Sequence, residues 1–193
     1  MRTARKHTAT TVGHAVLAIS ALGLVTGCGT VVDGSSAAEG QNTSQREQTV
    51  GWNPCTELSE EALRATGADP TSKSTDFDAP GDKAAWRMCA WDSIDAPYFI
   101  GVGATTLTQD EVRKNSSVTG FTPVEVNGRS GLTYYPGTGE TPVRRCYVSL
   151  PMEGGMLNVY VDWRYGEHHA MPESPPCGSA VQHAQELEPY LPE

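Results

Sequence analysis

The sequence predicts an α+β domain: an antiparallel β-sheet built from consecutive hairpins, with short helices packed on one face and two disulfides. Three observations carry this. Asn127-Gly128 sits between two alternating segments, the favoured arrangement for a tight type I′ hairpin turn. A second alternating pair flanks Glu153-Gly154-Gly155, with Leu157, Val159 and Val161 interleaved by Asn158, Tyr160 and Asp162. Four cysteines, Cys55, Cys89, Cys146 and Cys177, lie about 30 residues or more apart. No strand–helix–strand alternation with Gly-rich turns is present, which excludes a doubly wound parallel sheet.

The elements follow in chain order. Ser59 can cap a short helix that opens on Glu60 and Glu61, where acidic side chains meet the positive end of the dipole, and Gly67 can end it. Residues 71–83 are rich in Asp, Ser and Gly between Pro70 and Pro80 and read as loop. Residues 85–91 and 97–105 form strands of a hairpin turning near Asp95, with Trp86, Met88 and Ala90 on one side of the first. Thr108 with Glu111 makes a capping box, so a helix is expected over 109–115. Residues 123–126 and 129–135 pair around Asn127-Gly128, and 144–150 pairs with 156–163. Ala180, Val181, Ala184, Leu187 and Leu191 recur at helical spacing, predicting a last helix over 179–190.

The N-terminus carries an address. Arg2, Arg5 and Lys6 precede an apolar stretch over 15–25, which is too short for the roughly 20 residues that span a bilayer. Leu24-Val25-Thr26-Gly27-Cys28 then closes the stretch, and the whole resembles a bacterial lipoprotein signal peptide with its lipobox. Residues 1–27 are therefore expected to be a signal peptide, and Cys28 the lipidated N-terminus of the mature chain. A single acyl chain anchors only marginally, and stable attachment takes two hydrophobic signals. Residues 28–50, poor in apolar pattern, read as a flexible tether. One domain follows over 51–193, long enough for a core of its own.

Removing the three basic residues of the leader from the total of 14 leaves 11 against 23 acidic ones, a formal charge near −12. So acidic a chain argues against nucleic acid as a partner, since that surface rewards clustered Lys and Arg. The expected location is the extracytoplasmic face of the cell membrane, with the membrane as partner through the lipid.

Assigning Cys28 to lipid leaves four cysteines for two bridges in an oxidising compartment. Three connectivities are open, and the sequence alone does not choose among them. The sequential pairing, Cys55–Cys89 and Cys146–Cys177, is the expectation adopted. Each loop would then be worth about 3–4 kcal/mol in the chain-entropy model.

The lipobox, the polar tether, Asn53-Pro54-Cys55 ahead of a Leu-Ser-x-Glu-x-Leu helix, Cys89-Ala90-Trp91 and the late Cys146 and Cys177 stand together. Over essentially the whole precursor the chain resembles the actinobacterial lipoproteins built on domain of unknown function 3558. That resemblance implies an envelope location and two disulfides. It implies no catalytic residues.

Signatures of chemistry are weak. Gly128-Arg129-Ser130-Gly131-Leu132 lacks the last glycine of a nucleophile elbow, and Ser-x-x-Lys is absent. No phosphate loop or dinucleotide fingerprint occurs, and no cofactor is expected. Glu167-His168-His169, with Met171 and His183 further on, offers His168 and His169 as weak candidates for copper or zinc. Adjacent histidines in a loop more often sit in solvent, and no metal site is assigned. Trp86, Trp91, Tyr134, Tyr135, Tyr160, Trp163 and Tyr165 supply sheet packing or, in part, a binding face. The expectation is a non-enzymatic binding or interaction module of the envelope. The alternative is a carrier of a small apolar or lipid ligand in a cavity between sheet and helices. A deep apolar cavity favours the carrier; a solid core with an exposed aromatic patch favours the interaction module.

Overall fold

Among the described residues lie six antiparallel strands, β1 (Trp86–Asp92), β2 (Tyr98–Thr105), β3 (Val118–Val126), β4 (Arg129–Pro136), β5 (Arg145–Met152) and β6 (Gly155–Trp163). They run in the order β1-β2-β6-β5-β4-β3. Four described α-helices accompany them: α1 (Pro54–Glu57), α2 (Glu60–Ala65), α3 (Gln109–Val112) and α4 (Cys177–Leu187). The computed structural model describes residues 49–78 and 85–193, all within one compact unit. The expected signal peptide over 1–27, Cys28 and nearly all of the expected tether over 28–50 lie outside the described residues. Val50 and Trp52 already pack against the core.

The three expected hairpins, β1–β2, β3–β4 and β5–β6, are present. Asn127 and Gly128 both take positive φ, 49° and 90°, so the turn twists with its strands as a type I′ turn does. The β-sheet closes around a long-range pair, β2 against β6, in register from Tyr98↔Trp163 to Thr105↔Met156. No local signal marks that pairing. β3 begins at Val118, earlier than alternation indicates. Its first half is interrupted by Gly120 (φ 71°) and a register shift between Thr119 and Thr122, and such a bulge erases the period of two.

One face of the sheet carries the main core. In register across the sheet lie Thr133, Val148, Val159, Val102 and Cys89, then Cys146, Val161, Ile100 and Trp91. α4 lays Ala180, His183, Ala184 and Leu187 on this face, all buried. α1 and α2 fill the β1–β2 side, where Ser59 caps α2 by accepting from the Ala62 N–H at 3.1 Å. Both disulfides sit here. Cys55–Cys89 ties α1 to β1 with Cα atoms 5.3 Å apart, and Cys146–Cys177 ties β5 to the start of α4 at 5.1 Å. Both spacings fall within the normal range for a bridge.

α3 lies on the opposite face, its buried Val112 packed with Tyr134 and Met156. The capping box forms as expected. The Thr108 N–H donates to Glu111 Oε2 at 2.7 Å, and the Glu111 N–H to Thr108 Oγ1 at 3.3 Å. The helix is shorter than expected. The N–H groups of Lys114 and Asn115 reach back only three residues, and Asn115 Oδ1 then accepts from the Ser117 N–H, turning the chain into β3.

Candidate ligand cavity

Register decides what the second face can be. One row across it reads Tyr134, Tyr147, Tyr160, Gly101 and Ala90; the next reads Leu132, Ser149, Asn158, Gly103 and Met88. Large side chains on β4, β5 and β6 thus give way to small ones on β2. The Tyr160 ring lies over Gly101, where a Cβ would overlap it. Tyr134 and Tyr147 stack at 5.1 Å with 24° between planes, and Tyr147 and Tyr160 meet tilted at 5.7 Å. Phe121 extends the series at 5.3 Å from Tyr134. At the other end the Arg145 guanidinium stands 5.9 Å and 5.7 Å from the Tyr147 and Tyr160 centroids, held there by Asp162.

A half-open cavity of about 480 Å³ lies over this floor. Trp86, Met88, Tyr147 and Tyr160 form the base, Leu107, Val112 and Val118 one wall, and Phe77, 65% exposed, reaches in from the 71–78 loop. Its size is that of a small-ligand site, in which mostly apolar walls carry a few placed polar groups. Those groups are Asn158 and the tyrosine hydroxyls at depth, with Glu111 and Asn115 at the mouth. Tyr134 OH donates to Asn158 Oδ1 at 2.9 Å.

Three titratable groups of the lining, Glu111, Tyr134 and Tyr160, are shifted from their ordinary values. Hydrogen bonds from Thr108 keep the Glu111 carboxyl below the usual range. Burial pushes the Tyr134 phenol well above its ordinary value, while burial, opposed by the nearby Arg145, brings Tyr160 up to about 12.

The other candidates separate. His168 and His169 stand exposed in a 3-10 turn over Tyr165–Ala170, their ring centroids 6.4 Å apart, and His168 Nδ1 meets the Tyr165 carbonyl at 2.8 Å. His183 is far from solvent in the main core. Its Nε2 lies 2.9 Å from Tyr98 OH, and its Nδ1 lies 2.9 Å from Thr66 Oγ1 and 3.2 Å from Glu186 Oε2. Burial lowers its pKa, with Glu186 opposing. Among the described residues no three His, Cys, Asp or Glu side chains come together as a metal site. Of the aromatics, Trp91 and Trp163 belong to the main core, whereas Trp86, Tyr134 and Tyr160 line the cavity. Leu107, Val112, Val118 and Asn158 escaped sequence reasoning as site residues. The one available signal was a lone Asn in the polar phase of an otherwise apolar strand.

The model of the family described as protein of unknown function (DUF3558) matches residues 23–190. This chain belongs to the DUF3558 family. The match takes in Leu24–Cys28 at one end and α4 at the other, so all of the cavity's lining lies within the family domain. No curated protein and no solved structure matches this DUF3558 chain. Among its described residues no helix is long and apolar enough to cross a membrane.

Proposed function

We propose that this chain is a non-enzymatic binding protein, anchored through lipid on Cys28 to the extracytoplasmic face of the cell membrane, and that its aromatic-floored cavity takes a small apolar ligand. The observation that carries this is the cavity itself, about 480 Å³ of mainly apolar lining on the sheet face that neither α4 nor a disulfide covers. Of the two expectations drawn from the sequence, the carrier fits it better than a flat protein-binding patch. Binding without catalysis fits the chemistry of the lining. Glu111 is committed to capping α3, and the Tyr134 and Tyr160 phenols stay protonated, so none of the three is poised to move protons near pH 7. Membrane attachment rests on the lipobox, whose diacylated cysteine would supply both chains that stable anchoring takes.

The test is titration of the full chain carrying Cys28→Ser with the neutral fluorophore N-phenyl-1-naphthylamine. Enhanced probe emission in the parent, lost when Val118→Trp fills the wall while the melting temperature holds, is expected. An emission change that Val118→Trp leaves untouched would place binding elsewhere.

A further inference from the structure

The cavity floor holds a polar group with unspent hydrogen-bonding capacity. Asn158 is only 3% exposed, at the centre of β6. Its Oδ1 is occupied by Tyr134 OH, and Tyr134 is itself clamped between Phe121 and Tyr147. That bond holds the Oδ1 end of the amide toward Tyr134 and leaves Nδ2 on the other side. Its Nδ2 has no protein partner among the described residues, yet it is not sealed from the cavity. Hydrocarbon covering that amide would leave its donor unmet at a cost in free energy, and an apolar side chain of similar volume would avoid that cost. A cavity serving only to hold hydrocarbon would be better floored by Leu. The Tyr160 hydroxyl, beside it on the same strand face, likewise has no protein partner. Glu111 meanwhile puts a negative charge at the mouth, which opposes an anionic headgroup.

Resting on the cavity reading above, we infer that the ligand is an uncharged apolar molecule bearing an oxygen acceptor, a carbonyl or ether, which Asn158 Nδ2 receives at the cavity floor. A site built to hydrogen-bond a ligand rejects the analogue lacking that atom, because the donor is then left unpaired.

A shape-matched trio tests this on the full chain carrying Cys28→Ser: 9-fluorenone, fluorene and fluorene-9-carboxylate, followed by quenching of tryptophan emission. The parent should bind fluorenone about tenfold more tightly than fluorene, and the carboxylate least of all. In Asn158→Leu the preference for the ketone should vanish while fluorene binding persists or tightens. Tyr134→Phe, which frees the amide to rotate, should shrink the preference several-fold even if Asn158→Leu does not fold. Equal binding of ketone and hydrocarbon by the parent overturns the role of Asn158 and leaves the cavity reading intact. A ketone preference surviving in Asn158→Leu does the same. Binding of neither, together with no response to N-phenyl-1-naphthylamine, overturns both.

Discussion

Gly101 and His183 show how single residues decide the two faces. At Gly101 the missing side chain makes room for the Tyr160 ring, which lies flat across β2. Gly101→Ala forces that ring aside, and overpacking of this kind costs about 1–3 kcal/mol. Thermal unfolding should show the loss, and Tyr160→Ala should relieve it in the double variant. His183 is neutral when folded, with its pKa lowered chiefly by burial. Between its folded value and the roughly 6.5 of an exposed histidine, the unfolded chain binds more protons. Stability is therefore fully present above about pH 6.5 and falls as pH drops through the folded value. Urea unfolding at pH 7 and pH 5 should show this decline in the parent and a shallower one in His183→Gln. Glu111 and Asp69, both lowered by hydrogen bonds, act only below the ordinary carboxylate range and leave this window clear.

At the scale of elements, the disulfides do work that hydrogen bonding leaves undone. α1 is four residues long and α2 six, too short to persist alone. Cys55–Cys89 fastens the first of them to β1 and so supports the start of the domain. Replacing either cysteine pair by alanines should cost about 2–5 kcal/mol in chemical unfolding. Losing Cys55–Cys89 should also raise proteolytic cleavage around 54–65, whereas losing Cys146–Cys177 should loosen the start of α4. Gly128 at φ 90° is a second local determinant. Gly128→Val places a β-branched side chain in a left-handed conformation and should weaken the β3–β4 hairpin at the sheet edge.

The described domain is a sheet with two unlike faces. One is filled by α4, α1 and α2 and stapled twice; the other is aromatic, partly roofed by α3, and hollow. If the lipobox acts as proposed, Cys28→Ser will shift the protein from the membrane fraction to the soluble fraction of its native cells. Mass spectrometry of the parent will find a diacylated cysteine as the first residue. An uncleaved parent in the cytosol would defeat the anchoring proposal without touching the cavity.

The sequence by itself determined the hairpins, the caps of α2 and α3, the last helix and the class of fold, because each is written within a few residues: Asn127-Gly128, Ser59, Thr108 with Glu111, and the spacing of Ala180, Ala184 and Leu187. It left three cysteine pairings open, saw Asn158 only as the polar phase of a strand, and offered Tyr160 for packing or for a binding face alike. Tertiary structure alone set β2 beside β6, which brought Gly101 under Tyr160 and Asn158 to the centre of a floor shared by β1, β2, β4, β5 and β6. It also sent α3 to the face opposite α4, and that is why a cavity exists at all. The physical reason is range. Turns and caps are fixed by local backbone chemistry, whereas a pocket is fixed by which distant strands exchange hydrogen bonds, and a sequence read along its length carries no local mark of that.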